Sequence, residues 1–152
     1  MRKLSTLVTG ILLFTMLAYP EVVKAQKLSE SCSNETVRGQ YVIQLSGFLD
    51  TNSPLAATVL ITFDGNGNLS GTLLARSLNG NATTNLPTTG VYQVTEDCVI
   101  TSSTIRDDGS SANYTGVVIN EGNKFYQTQA DTSTTVNVVA ERVKLQRSQY
   151  RR

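Results

Sequence analysis

The residues of this chain that could do chemistry are few, and the missing ones narrow the field most. Among 152 residues there is no histidine, which removes the commonest general base near neutral pH, the usual metal ligand and the middle member of Ser/His/Asp and Cys/His sites. What remains is one pair of cysteines, Cys32 and Cys98, several acidic turns, and a set of aromatic side chains at alternating positions. Tyr41, Phe63, Tyr92, Tyr114 and Phe125 lie on sides that can all face one interior. Such a lining suits a flat apolar ligand oriented by phenolic hydroxyls. It suits a filled core equally well, because a small barrel is only just wide enough for side chains or one small ligand.

The acidic turns have plain readings beside their chemical ones. Asp64, Asn66 and Asn68 alternate as oxygen donors around two glycines, like the start of a calcium loop. An EF-hand loop needs glycine at its sixth position and an acid at its twelfth, and those places hold Leu69 and Ala75. A tight hairpin accounts for the same residues, so no metal and no cofactor is expected. Glu96, Asp97, Asp107 and Asp108 could gather as an acidic rim that binds a cation or supplies an acid of raised pKa, or could be solvated turn carboxylates. Glu141 and Arg142 sit side by side in the last alternating segment. One of them can therefore point inward, where it would need a partner or water; exposure at a strand end is the other reading. Four sites, Asn34, Asn68, Asn81 and Asn113, fit the N-glycosylation pattern, as expected by chance in a chain rich in Asn and Thr, and are assigned no role.

The elements that must position these residues are strands. From Val37 the chain runs as short alternating segments cut by turn residues about every ten positions, the pattern of an antiparallel barrel or sandwich. Val37, Gly39, Tyr41, Ile43, Leu45 and Gly47 form one face of a first strand, and Ala57, Val59, Ile61 and Phe63 one face of the second. Asp64-Gly65-Asn66-Gly67 and Asn79-Gly80-Asn81 tolerate positive φ and mark turns. Later segments run Leu69 to Leu78, a weak stretch broken by Pro87 that regains alternation at Gly90, Tyr92 and Val94, then Cys98 to Ile105, Ala112 to Ile119, Phe125 to Ala130 and Thr135 to Val143. Eight hairpin-linked strands close most simply into a single up-and-down barrel, an all-β fold without exposed edges. A two-sheet β-sandwich is the alternative.

The segments flanking the domain point to export. Arg2 and Lys3, an apolar run from Leu4 to Tyr19, and Val23-Lys24-Ala25 form a secretory signal peptide over residues 1–25. The run is shorter than the ~18 residues of a membrane span, so no stable span is expected once the leader is cut. Residues 26–143 then form the barrel domain, and 144–152 a basic C-terminal tail. Removing the leader changes the net charge from +1 to −1, with 10 basic and 11 acidic groups over 127 residues. A near-neutral surface argues against nucleic-acid binding. In a secreted or periplasmic chain an even pair of cysteines reads as a disulfide. A Cys32 to Cys98 bridge would be worth about 4 kcal/mol on the chain-entropy model. Two free buried thiols, or a nucleophilic Cys98, are the alternatives; Glu96 and Asp97 beside Cys98 would raise its pKa and so count against the nucleophile.

Three stretches together resemble a group of small exported bacterial proteins, the allene-oxide-cyclase-like or lipocalin-like barrels. They are Cys32 before Val37-Arg38-Gly39-Gln40-Tyr41, the run from Ile61 through Asp64-Gly65-Asn66-Gly67 to Thr72, and Gly90-Val91-Tyr92-Gln93-Val94 before Asp97-Cys98. The matching residues are turn and strand signals, so the resemblance implies a fold more than an activity. No acid–base pair of the plant cyclases is placed on this chain.

Three functions follow as expectations. The leading one is a non-catalytic exported barrel that binds a small lipophilic ligand or acts at the cell surface. The second, which the resemblance implies, is a metal-free cyclase or isomerase that folds an apolar reactive substrate inside the barrel. The third is a structural or adhesive matrix protein assembling through Thr-rich outer faces.

Overall fold

A computed structural model describes residues 31–105, 109 and 111–144. The leader, Asp107 and Asp108, and the tail beyond Lys144 lie outside the described residues. Eight antiparallel strands follow in chain order: β1 Gly39–Leu49, β2 Ser53–Phe63, β3 Asn68–Leu78, β4 Asn81–Val94, β5 Val99–Ile105, β6 Ser111–Ile119, β7 Lys124–Gln129 and β8 Thr134–Arg142. Each pairs with its sequence neighbours, and β1 also pairs with β8, from Tyr41 opposite Arg142 to Leu49 opposite Thr134. The result is a closed up-and-down barrel. Closure pairs the first strand with the last, so neither of these is left as a sheet edge.

The alternating pattern sets the two faces. On β1 the sequence Tyr41, Ile43, Leu45 points inward and Gln40, Gln44, Ser46 outward. The outer surface continues as Thr62, Ser70, Thr101, Thr115, Thr128 and Asn137, interspersed with exposed apolar residues such as Val42, Val91 and Val117. Among the described residues no helix is long and apolar enough to cross a membrane.

Turn chemistry explains the hairpins. Asn79 and Gly80 have φ of 49° and 81° between the paired Leu78 and Asn81, the two-residue turn whose twist matches that of the strands. Pro87 does not end β4. It pairs with Thr72 of β3 but lies before Thr89, where pairing with β5 begins, so among the described residues this residue without an N–H has one strand neighbour.

The alternation that begins at Val37 is not all strand. Asn34–Val37 is a turn of 3-10 helix, and β1 starts at Gly39. Val37 is fully buried all the same, because this turn lies across one end of the barrel and drives its side chain into the core. A second 3-10 turn, Asn120–Gly122, packs beside it. Gly122 has φ of 78° and lies against the Thr36 carbonyl, so only glycine allows the two turns to meet.

Candidate functional site

The barrel has two unlike halves. At the closed end, under the 3-10 turns, Tyr41, Phe63, Tyr92 and Phe125 pack ring against ring with centroids 4.8 to 5.6 Å apart, mostly edge to face. Ile100, Val118 and Ala140 complete this layer, which is solid core. Each fully buried apolar side chain of this kind contributes about 2 kcal/mol.

The phenols of that layer are fixed to backbone. Tyr41 Oη donates to the Gly122 carbonyl. Tyr92 Oη donates to the Asn34 carbonyl at 3.2 Å and accepts from the Gly65 N–H at 2.8 Å. Burial is the main cause that raises the pKa of both phenols, partly offset at Tyr41 by the Arg142 charge and at Tyr92 by the hydrogen bond from Gly65. Cys32 and Cys98 form a disulfide with Cα atoms 5.0 Å apart, tying the segment before the first 3-10 turn to the β4–β5 link. Neither sulfur is a free thiol.

Arg142, not Glu141, is the inward charge of β8, and it serves this closed end. Its guanidinium stacks 5.1 Å from the Tyr41 ring centre and donates to the carbonyls of Thr36, Arg38 and Gly122. Glu141 faces out and pairs with Lys124 at 2.7 Å. Asp64 is equally occupied: its carboxylate accepts from the N–H groups of Asn66 and Asn68 at 2.7 and 3.0 Å and from the Asn68 amide at 2.8 Å. These hydrogen bonds, the Asn68 side chain first, hold its pKa below the usual value. Asp64, Asn66 and Asn68 thus form a hairpin turn closed by its own donors. Among the described residues no three His, Cys, Asp or Glu side chains gather as a metal site.

The other half of the barrel is hollow. A cavity of about 130 Å³ opens above Phe63 and Leu69 and reaches the rim at Leu49, Leu55 and Ile105. Its β1–β3 wall is apolar, made by Ile43, Leu45, Ala57, Val59, Ile61 and Leu73. The facing β5–β7 wall is polar, with Ser102, Thr104, Tyr114, Gln127 and Gln129. Gln127 is buried and donates to Ser102 Oγ at 3.0 Å. Gln129, 5% exposed, donates through Nε2 to Asp131 at 2.7 Å, and its buried Oε1 has no donor. On the β3 wall Arg76 also lines the space.

Of the five aromatic residues singled out by sequence, Phe63 and Tyr114 line this cavity, whereas Tyr41, Tyr92 and Phe125 belong to the layer beneath or beside it. The filled core and the cavity therefore occupy different halves of one barrel. Gln127 and Gln129 were readable in principle, since they share the parity of the buried Phe125 along β7. Arg76 was hidden by an irregularity. Val59 pairs with Leu73 but Thr58 with Ala75, so Leu74 is an extra residue and every side chain beyond it changes face. The adjacent leucines at 73 and 74 are the trace this leaves in the sequence.

The fold and site together define a closed antiparallel barrel, disulfide-tied and plugged at one end, with a small apolar cavity open toward the other. No protein-family model, curated protein or solved structure matches the chain. The case for function thus rests on the barrel's own chemistry.

Proposed function

We propose that this protein is an exported, non-catalytic binder of a small lipophilic molecule, held in the mouth-side half of the barrel. The observation that carries the reading is the cavity itself, about 130 Å³ with one apolar and one polar wall. Natural cores pack to the density of organic crystals and keep few voids of this size. The cavity's β1–β3 side of leucine, valine and isoleucine offers a small apolar body the kind of surroundings in which a cavity of about 150 Å³ takes up benzene. The polar wall gives a bound molecule orientation, as in most small-ligand sites. The leader-like residues 1–25 and the disulfide support a secreted or periplasmic location.

Binding takes precedence over cyclisation because the described cavity wall offers hydroxyls, amides and a guanidinium, groups suited to holding a ligand in place. Thermal melts with rising benzene or 1-hexanol test the proposal. A rise in Tm that follows a binding isotherm is expected. No shift, or one that never saturates, would contradict it.

A further inference from the structure

We infer that the molecule bound in this cavity carries a carboxylate, and that Arg76 on the β3 wall receives it. This deepens the binding reading above and rests on it. Arg76 points inward because the extra residue Leu74 reverses the faces of β3, setting Arg76 opposite Ala57, which lines the same space. The neighbours it lines the cavity with on that side are Leu55, Leu73 and Leu86. Its Nε is buried without a hydrogen-bond partner, and among the described residues the guanidinium makes no hydrogen bond or ion pair.

The contrast with Arg142 makes the point. Arg142 also turns inward, and although its Nε is likewise buried without a partner, its two terminal nitrogens are taken up by the carbonyls of Thr36, Arg38 and Gly122. Arg76 has no such use in the fold. A buried charged donor left unmade is costly, so the unpartnered Nε of this half-buried guanidinium favours an acceptor that can enter beside it. The planar fork of arginine fits a carboxylate through two parallel hydrogen bonds.

Among the described residues the protein's own acids do not fill that role. Asp131 already accepts from Asn113 and Gln129 beside β7, and Asp50 in the β1–β2 turn makes no ion pair. In a ring of eight strands β3 and β7 stand opposite. Arg76 and the amide wall therefore face each other across the cavity, and the apolar β1–β3 side covers the ligand's body. Space comparable to a benzene site keeps that body short.

Calorimetric titration of the purified protein with three six-carbon probes, hexanoate, 1-hexanol and hexylamine, tests the inference. At neutral pH hexanoate should bind about tenfold more tightly than 1-hexanol, with hexylamine weakest. Arg76→Met should weaken hexanoate about tenfold and change 1-hexanol by less than about twofold. If Arg76→Met does not fold, Arg76→Lys and the order of the three probes on the unaltered protein still decide. Equal or tighter binding of the alcohol would overturn the carboxylate and leave the cavity reading intact. Failure of both alcohol and acid to bind would overturn both.

Discussion

The guanidinium of Arg142 lies over the ring of Tyr41, 5.1 Å from its centre, while Tyr41 and Arg142 both donate to the carbonyl of Gly122. Two side chains that are Cα partners across the closing β1–β8 seam thus bind one backbone atom of the Asn120–Gly122 turn. The seam and the end plug are one structure.

Replacing either residue should loosen that end. Tyr41→Phe removes one of two donors to Gly122 and should cost about 1 kcal/mol; Arg142→Met strips charged donors from three carbonyls and should cost about 2 kcal/mol. Urea unfolding of each variant reads these values. A stability unchanged by Arg142→Met would show that the carbonyls do not depend on it.

Alkaline pH should weaken the protein through the same layer. Burial raises the pKa of Tyr41 and Tyr92, whereas an unfolded tyrosine ionises at about 10. Above that value the unfolded chain has lost protons that the folded state still holds, so stability is complete below it and falls as pH rises toward the folded values. Urea midpoints between about pH 9 and 11 should decline in the parent protein and decline less in Tyr41→Phe. Equal slopes would contradict the assignment.

At the acid end Asp64 has the opposite sign. Its folded pKa is lowered, first by the Asn68 side chain. Its contribution is therefore present above the ordinary carboxylate value and is lost as pH falls through the folded one. Asp64→Asn should be less stable than the parent at neutral pH, and the gap should close with acidification. A gap that persists at the acid limit would mean the turn depends on shape, not charge.

The disulfide closes a separation of 66 residues. Cys32→Ser with Cys98→Ser should lower stability by about 4 kcal/mol on the chain-entropy model. The 3-10 turn keeps other ties, including Asn34 Oδ1, which accepts from the Val94 N–H at 2.7 Å. Hydrogen exchange should therefore show the loss concentrated in residues 31–38, with the strand amides of β1 and β2 still protected. Uniform loss of protection would contradict this division.

The architecture was legible where one physical rule acts alone. Period-two alternation along Ala57, Val59, Ile61 and Phe63, and the Asn79-Gly80 turn, follow from the pleat and from backbone sterics. Legibility failed where a local rule meets a tertiary one. Val37 continues the alternation of β1 but is buried by a helical turn that plugs the barrel. The inserted Leu74 inverts the parity of β3 and brings Arg76 inside, against its polarity. The aromatic residues were visible as inward-facing, but which of them fill space and which border it depends on their height along the barrel, a quantity set by register between strands far apart in sequence.

The central claim is that the mouth-side cavity takes an apolar ligand, and intermolecular NOEs from bound 1-hexanol to methyl-labelled protein test it most directly. The expected result is contact with Leu45, Leu55, Val59 and Leu73, all on the cavity wall. Contacts confined to outward methyls such as Val42, Val91 and Val117, or no contacts at saturating alcohol, would contradict it.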